Sequence, residues 1–522
     1  MYRWLMAAFG VMATTSWANE PSSNVVDDPR ATVVTYDLPA ATLPQSIREK
    51  MAVAGLSDDE VSFWVEPLDG DLSNTANANT RLEPIIRHRA DKLRTPASTQ
   101  KLVTTFIALH TLGENHRWIT RVHPKGVVMN GTLYGDLVIQ GFGDPAMTHD
   151  RLRAMLRQVE ARGIRHIQGD IVIDNSAFQD VKFNINAFDG QGMRAYNAAP
   201  NAFLVNFGTV EIDVLPSGRD EIIQMPTGQT TKFVPSDHQS AALQVLPPLA
   251  DFSAPSQISA NDTRCLSENK FHLNDEKLTV FGGTRADCGR QSYWLTFSDA
   301  DTLAIKAVKG IWQSIDERFA GRVRIDDVVS PGIAWLIYPS KPLSEQIYLI
   351  NQYSNNVMTE QVALSLPLSM GVAGVSDPVS DYPSALNFIS KWWQAHLSSQ
   401  PPMMSRASGL CRDCAITPAA MAELLAFAYQ QPNFEVFKAS LPIAGQSGTM
   451  MSLSERDPEH PAIGHAHIKT GTLNNVKSLA GYVMDTQGRW YVFIGMINAP
   501  GAGYSDHATA VLDEALSYVA KL

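Results

Sequence analysis

Apolar positions recur along the chain with two periods, and the switch between them divides it into stretches. Residues 43–53 and 98–112 show helical spacing. Pro96 suits the first turn of the second helix, where its missing N–H costs nothing. Residues 61–68 read as a strand that ends in the turn Asp69-Gly70. From about 125 to 215 the texture is strands punctuated by glycine and aspartate, with one helix over 149–162. The phrase Gly-Asp followed by three apolar residues occurs at Gly135 and again at Gly169, which predicts neighbouring strands of one sheet. Residues 212–291 are richer in Pro, Ser, Thr and Asp and read as a small β-rich insert. Helical spacing returns over 304–319 and closes the middle region near 335. Beyond it, helices are predicted over 355–366, 384–397, 418–430 and 506–522. Strands are predicted over 465–472, 478–484 and 490–497, the last two joined by the turn Thr486-Gln487-Gly488.

The N-terminus departs from this texture. Arg3, then an apolar or small-residue stretch over 4–15, then Ser16 and Ala18 read as an export signal over residues 1–18. Residues 19–40 read as a mobile lead. Past the signal no run approaches the roughly 18 apolar residues a bilayer span needs. The expectation is an exported, periplasmic protein without a membrane span in the mature chain. At 522 residues two or three domains are the default. Charged residues make up 18% and the formal net charge is −11, with no Lys/Arg block, so nucleic acid and anionic membrane surfaces are excluded as main partners. The four cysteines fall into two local groups, Cys265 with Cys288 and Cys411 with Cys414. Four cysteines allow three pairings, and export makes disulfides the first expectation. A redox role for Cys411-Arg412-Asp413-Cys414 lacks a thioredoxin-like context, and zinc lacks histidines at ligand spacing.

Three short motifs carry chemistry. Ser98-Thr99-Gln100-Lys101 opens an apolar helix, so residues three apart share a face and the lysine amine reaches the serine hydroxyl. A serine needs such a base to become a nucleophile. A second copy, Ser267-Glu268-Asn269-Lys270, lies in a polar stretch and reads as coincidence. Ser354-Asn355-Asn356 starts another helix. Alone it reads as a helix cap, and Tyr353-Ser354-Asn355 is a second possible register. Lys469-Thr470-Gly471, followed by Thr472, occurs once. On an edge strand, its lysine and threonine suit a terminal carboxylate, and its glycine leaves room for a substrate backbone.

Together, in this order, the three motifs are those of penicillin-binding proteins and serine β-lactamases. The chain resembles one branch, the D-Ala-D-Ala carboxypeptidase/endopeptidase family of low-molecular-mass class C penicillin-binding proteins. The resemblance runs from about residue 40 to the end. It is carried by Arg94-Thr95-Pro96-Ala97 before Ser98, Gly141-Phe142-Gly143-Asp144-Pro145, Gly169 to Asp174, Tyr196-Asn197-Ala198-Ala199-Pro200, Ser408-Gly409-Leu410 and Lys469 to Thr472. Ser98 and Ser354 are separated by nearly half the chain, far more than a compact β-lactamase allows.

The resemblance implies an α/β (α+β) transpeptidase-like catalytic domain over 28–112 and 336–522. It is split by a domain over 113–211 and 292–335, with a nested β-rich domain over 212–291. It implies Ser98, Lys101 and Ser354 as catalytic residues. Asn356, Lys469, Thr470, Gly471 and Thr472 would bind substrate, and the Ser98 and Thr472 N–H groups would form an oxyanion hole. Peptidoglycan stem peptides are the implied substrates and β-lactams the implied covalent inhibitors, with no cofactor and no metal. Rival readings are a β-lactamase or a transpeptidase with the same site, and, in another class, a non-catalytic wall-binding scaffold. Two features depart from the family: Arg406-Ala407 stand where Asp-Gly usually precedes Ser-Gly-Leu, and Cys411 and Cys414 follow. Asp189 reads as a solvated loop acid, with contact to a substrate amine as the alternative.

Overall fold

The computed structural model describes residues 43–68, 83–216, 223–224, 230–231, 240–260, 262–328, 332–370 and 379–522. The expected signal, the lead over 19–40 and the turn at Asp69-Gly70 lie outside them. One sheet carries the catalytic candidates. Its antiparallel strands run in the order Ala466–Leu473, Val476–Met484, Trp490–Asn498, Val61–Pro67, Ile86–His88. Both faces are covered, so its central strands are mostly apolar and buried while successive side chains still part to opposite sides. Along the Trp490–Asn498 strand, Tyr491, Phe493 and Ile497 join a core beneath the helices Gln45–Ala54 and Asp506–Ala520. Val492, Ile494 and Met496 join the opposite core, among the helices Lys101–Leu112, Leu343–Tyr353, Tyr382–His396 and Pro418–Tyr429.

Between the two halves of this unit, the chain builds a second sheet. The strands at the two Gly-Asp phrases lie side by side and parallel, Leu137 to Ile139 opposite Ile171 to Ile173. The helices His149–Ala161 and Ala300–Gln313 pack against them through one apolar core. The second helix starts four residues earlier than its spacing suggests, because the Asp299 carboxylate accepts from Thr302 N–H and caps it. A third sheet, Gln257–Ser259, Ser240–Leu246, Thr209–Pro216, Gln291–Thr296, has its own core of Val210, Ile212, Leu243 and Leu295. Cys265 is bonded to Cys288 at its periphery, and Cys411 to Cys414.

The strand Leu336–Pro339 follows residue 335 but pairs with Ile119–Val122 in the second sheet. It is the return strand of the inserted region, and the catalytic unit resumes with the helix Leu343–Tyr353, whose periodicity the sequence reading passed over.

The inserted region returns to the catalytic helices through small apolar clusters, such as Phe178 and Ala202 with Leu364 and Ala385, and through polar contacts. The Gln361 side chain both accepts from Asn201 N–H at 3.0 Å and donates to Asn201 C=O at 2.9 Å. Asn356 Nδ2 donates to Tyr196 C=O at 3.0 Å.

The Cys265–Cys288 link closes a loop of 23 residues, which corresponds to about 3 kcal/mol of loop-closure entropy in the unfolded chain. Replacing both cysteines by serine is expected to weaken the nested sheet by that order. Amide exchange should accelerate in Ser240–Leu246 and Gln291–Thr296, with Val61–Pro67 and Trp490–Asn498 unchanged.

Candidate active site

Ser98 sits on a 3-10 turn, Ala97–Gln100, that runs straight into the apolar Lys101–Leu112 helix. Ala97 just before it has φ +50°, a left-handed conformation that costs a non-glycine residue about 1 kcal/mol. Contacts from several elements hold the turn in place. The Pro96 carbonyl accepts from Ser478 Oγ and from Thr99 Oγ1, each at 2.7 Å. Asn498 Oδ1 accepts from Thr95 N–H at 2.8 Å. Two glycines let the backbones close in. A Cβ on Gly471 would stand 2.7 Å from Pro96 O and 3.0 Å from Ser98 N, and one on Gly409 would meet Ala97 O at 2.0 Å.

The Lys101 amine is fully buried and donates to Ser98 Oγ at 3.0 Å, Asn356 Oδ1 at 2.6 Å and Ser408 C=O at 2.7 Å. Burial pushes its pKa down to about 7, against an opposing pull from the Glu360 carboxylate. Near neutrality it therefore has a substantial unprotonated fraction, the form that can accept a proton.

Ser354 separates two helices in a left-handed conformation, φ +57°. Its hydroxyl accepts from Lys469 Nζ at 3.0 Å. The geometry resolves the register of this motif: Asn355 caps the helix Asn356–Ser365 through Met358 N–H, and Asn356 meets Lys101. Lys469 is also buried, and its pKa is held well below the ordinary lysine range by desolvation and then by the charge of Lys101. Thr470, the next residue along the strand, donates to Thr449 Oγ1 at 2.8 Å, while Thr472 is exposed. The structure thus joins Ser98, Lys101 and Asn356 by hydrogen bonds and pairs Ser354 with Lys469, near enough that the Lys101 charge acts on Lys469, with Gly471 against the Ser98 turn. The second Ser-x-x-Lys copy is exposed, and Ser267 Oγ bonds Asn269.

A shallow open pocket adjoins this cluster, walled by Asn356, Glu360, Tyr196, Phe183, Phe188 and Arg406. Asp189 does not reach into it as a free acid. It organises its own loop, accepting from Tyr196 O–H at 2.6 Å, Asn197 Nδ2 at 3.0 Å and Gln191 N–H at 2.9 Å. Arg406 lies over the rings of Phe183 at 3.7 Å and Tyr382 at 4.8 Å, and donates to Tyr382 Oη. Sequence reasoning missed Glu360, whose carboxylate accepts from Ala407 and Ser408 N–H at 3.1 and 3.0 Å. The available signal was an acid one turn past Asn356 in a helix with no other charged residue.

The family profile for D-Ala-D-Ala carboxypeptidase 3 (S13) matches residues 66–518. The chain belongs to this family. Membership in S13 makes the protein a hydrolase, a serine-type D-Ala-D-Ala carboxypeptidase. It is similar to a D-alanyl-D-alanine carboxypeptidase of Actinomadura sp. (strain R39), 24% identical over 447 residues, covering 83% of this chain and 79% of the relative. It is also similar to D-alanyl-D-alanine carboxypeptidase DacB of Haemophilus influenzae, 23% identical over 410 residues, with 78% and 81% covered. The S13 chain shares the mixed α/β fold of the crystal structure of penicillin binding protein 4 (dacB) from Haemophilus influenzae, at TM-score 0.69 and 17% identity, over 91% of this chain and 99% of that one. The penicillin-binding/β-lactamase-like architecture with an inserted β-rich region is therefore that of this S13 protein. Among the described residues no helix is long and apolar enough to cross a membrane.

The close approach at Gly409 generates a prediction. Gly409→Ala forces a side chain into the Ala97 carbonyl at a left-handed φ of +80°. It should destabilise the protein by about 2–3 kcal/mol, read by thermal unfolding.

Proposed function

We propose that Ser98 is the nucleophile of a D-Ala-D-Ala carboxypeptidase that works on peptidoglycan stem peptides through an acyl-enzyme. The observation that carries this is a fully buried amine 3.0 Å from the serine hydroxyl. Ser98 Oγ attacks the carbonyl carbon of the penultimate D-Ala, and its proton passes to Lys101 Nζ. The developing oxyanion lies between the N–H groups of Ser98 and Thr472. Lys101 passes that proton by way of Ser354, itself hydrogen-bonded to Lys469, to the leaving D-Ala nitrogen as the amide bond breaks, and is neutral again. Lys469, with Thr470 and Thr472, receives the terminal carboxylate, and Asn356 orients the peptide amide. Water then attacks the ester carbonyl, and its proton passes to Lys101 and on to Ser98 Oγ as the ester bond breaks, which releases the acid and regenerates the serine. No step requires a metal or an organic cofactor.

A β-lactam presents its ring amide to the same Ser98 and forms a covalent adduct. Hydrolysis of cross-links, a D,D-endopeptidase reaction, uses the same steps with a longer leaving amine. The substrate is extracytoplasmic, which agrees with the export signal read at residues 1–18 and a periplasmic location. We read the chain as a catalytic unit over 28–112 and 336–522, with its second limit moved to about 340 by the pairing of Leu336–Pro339. The inserted units cover 113–211 with 292–335, and 212–291.

Incubation with a fluorescent penicillin, followed by peptide mass spectrometry, is expected to find one long-lived adduct on Ser98. Ser98→Ala should remove it. Rapid drug turnover without an adduct would instead identify a β-lactamase, and no reaction by folded protein would leave a wall-binding scaffold.

The acylation rate should also follow the neutral fraction of Lys101. Its pKa is lowered, and the base is the unprotonated amine, so the rate rises with pH through about 7. A rate that is flat between pH 5.5 and 8.5 would remove Lys101 as the base.

A further inference from the structure

We infer that Glu360 is a positioning residue of the reaction. By holding both amides of the Ala407–Ser408 turn it presents the Ser408 carbonyl to Lys101, and it keeps a carboxylate charge within reach of the Ser98–Lys101 pair. The inference rests on the role proposed above for Lys101 and adds a residue that none of the three motifs contains.

The geometry forms a closed path. Glu360 Oε2 accepts from Ala407 N–H at 3.1 Å, and Oε1 from Ser408 N–H at 3.0 Å. The carbonyl of that same Ser408 accepts from Lys101 Nζ at 2.7 Å, and the Ala407 carbonyl accepts from Thr104 Oγ1 at 2.9 Å, one turn further along the Ser98 helix. Glu360 stands four residues after Asn356, whose Oδ1 is another acceptor of the Lys101 amine. One face of one helix therefore supplies both a direct ligand of the lysine and the anchor of a second. Two parallel N–H bonds to one carboxylate fix the orientation of the turn, which a single bond would leave free to swing.

Glu360 is 4% exposed, and a buried carboxylate must be compensated. Besides the two amides, the Tyr382 hydroxyl lies near it, and Arg406 donates to that hydroxyl at 2.7 Å. Arg406 is the residue that departs from the family pattern, and it supplies positive charge through Tyr382 without touching the lysine. Two charged groups face Lys101, Glu360 from the Asn356–Ser365 helix and Lys469 from the Ala466–Leu473 strand. They act in opposite directions. Glu360 favours the protonated amine, and the positive charges disfavour each other. Removing the Glu360 charge therefore lets Lys101 lose its proton at lower pH.

The test measures acylation by a fluorescent penicillin from pH 5 to 9 for wild type, Glu360→Gln and Glu360→Asp, with folding checked by thermal unfolding. Glutamine keeps the shape but turns an N–H toward one of the two amide donors. It should lower the high-pH rate about tenfold or more and move the acid limb to lower pH. Aspartate keeps the charge but withdraws its oxygens by one methylene, so it should lower the rate with the midpoint near the wild-type one. A folded Glu360→Gln with wild-type rate and midpoint overturns the inference. So does a lowered rate at an unchanged midpoint, which means a turn-holder without electrostatic reach. If Glu360→Gln does not fold, Glu360→Asp decides: a wild-type rate at every pH overturns the inference. Failure of the underlying catalytic reading would show separately, as wild-type protein with no Ser98 adduct or no acid limb.

Discussion

The Lys101 amine is removed from water and surrounded by three oxygen acceptors, from a hydroxyl, a side-chain amide and a backbone carbonyl. Burying an ammonium is costly, and the cost falls when the group gives up its proton. The apolar helix behind it, from Leu102 to Leu109 without an exposed residue, therefore helps keep the amine available in its neutral form as well as being part of the core. Each acceptor comes from a different part of the chain, and each must arrive within hydrogen-bond distance. That requirement fixes where the Asn356 helix, the Ser408 loop and the Ser98 turn stand relative to one another.

The backbone around Ser98 shows what this accuracy demands. A left-handed alanine precedes the serine, and a second left-handed residue is Ser354 itself. Strained conformations of this kind survive where neighbours over-determine them. Here the neighbours are hydroxyl and amide side chains of two strands, Ser478 and Asn498, and two glycines that allow backbones to touch. The sheet thus acts as a template against which the turn is pressed, and its Lys469 strand brings the second amine to the same place.

Much of this was legible in the sequence because it follows from local periodicity. The continuous apolar run over 490–497 is a strand buried on both faces, and the repeated Gly-Asp phrase marks two adjacent parallel strands. Which of Asn355 and Asn356 meets the lysine was not legible, since either fits a cap or a ligand until the helix start is fixed. Glu360 was invisible for a related reason. Its partners, the amides at 407 and 408, lie 47 and 48 positions away and carry no side-chain signature. The pairing of Leu336–Pro339 with the second sheet was not legible because a four-residue strand carries no information about its partner.

The inserted region enters and leaves the catalytic unit through two strands that lie side by side. Trp118 and Ser340, 222 positions apart, exchange backbone and side-chain hydrogen bonds at the base of this pair. From the catalytic unit the whole insert is thus equivalent to the closed end of a hairpin. The gap it must bridge is one strand spacing, whatever the intervening chain contains. Closure entropy grows only with the logarithm of loop length. The interval between these two strands is accordingly where chain length can change at little cost in closure, provided the contacts of Asn201 and Tyr196 with the Asn356 helix are kept.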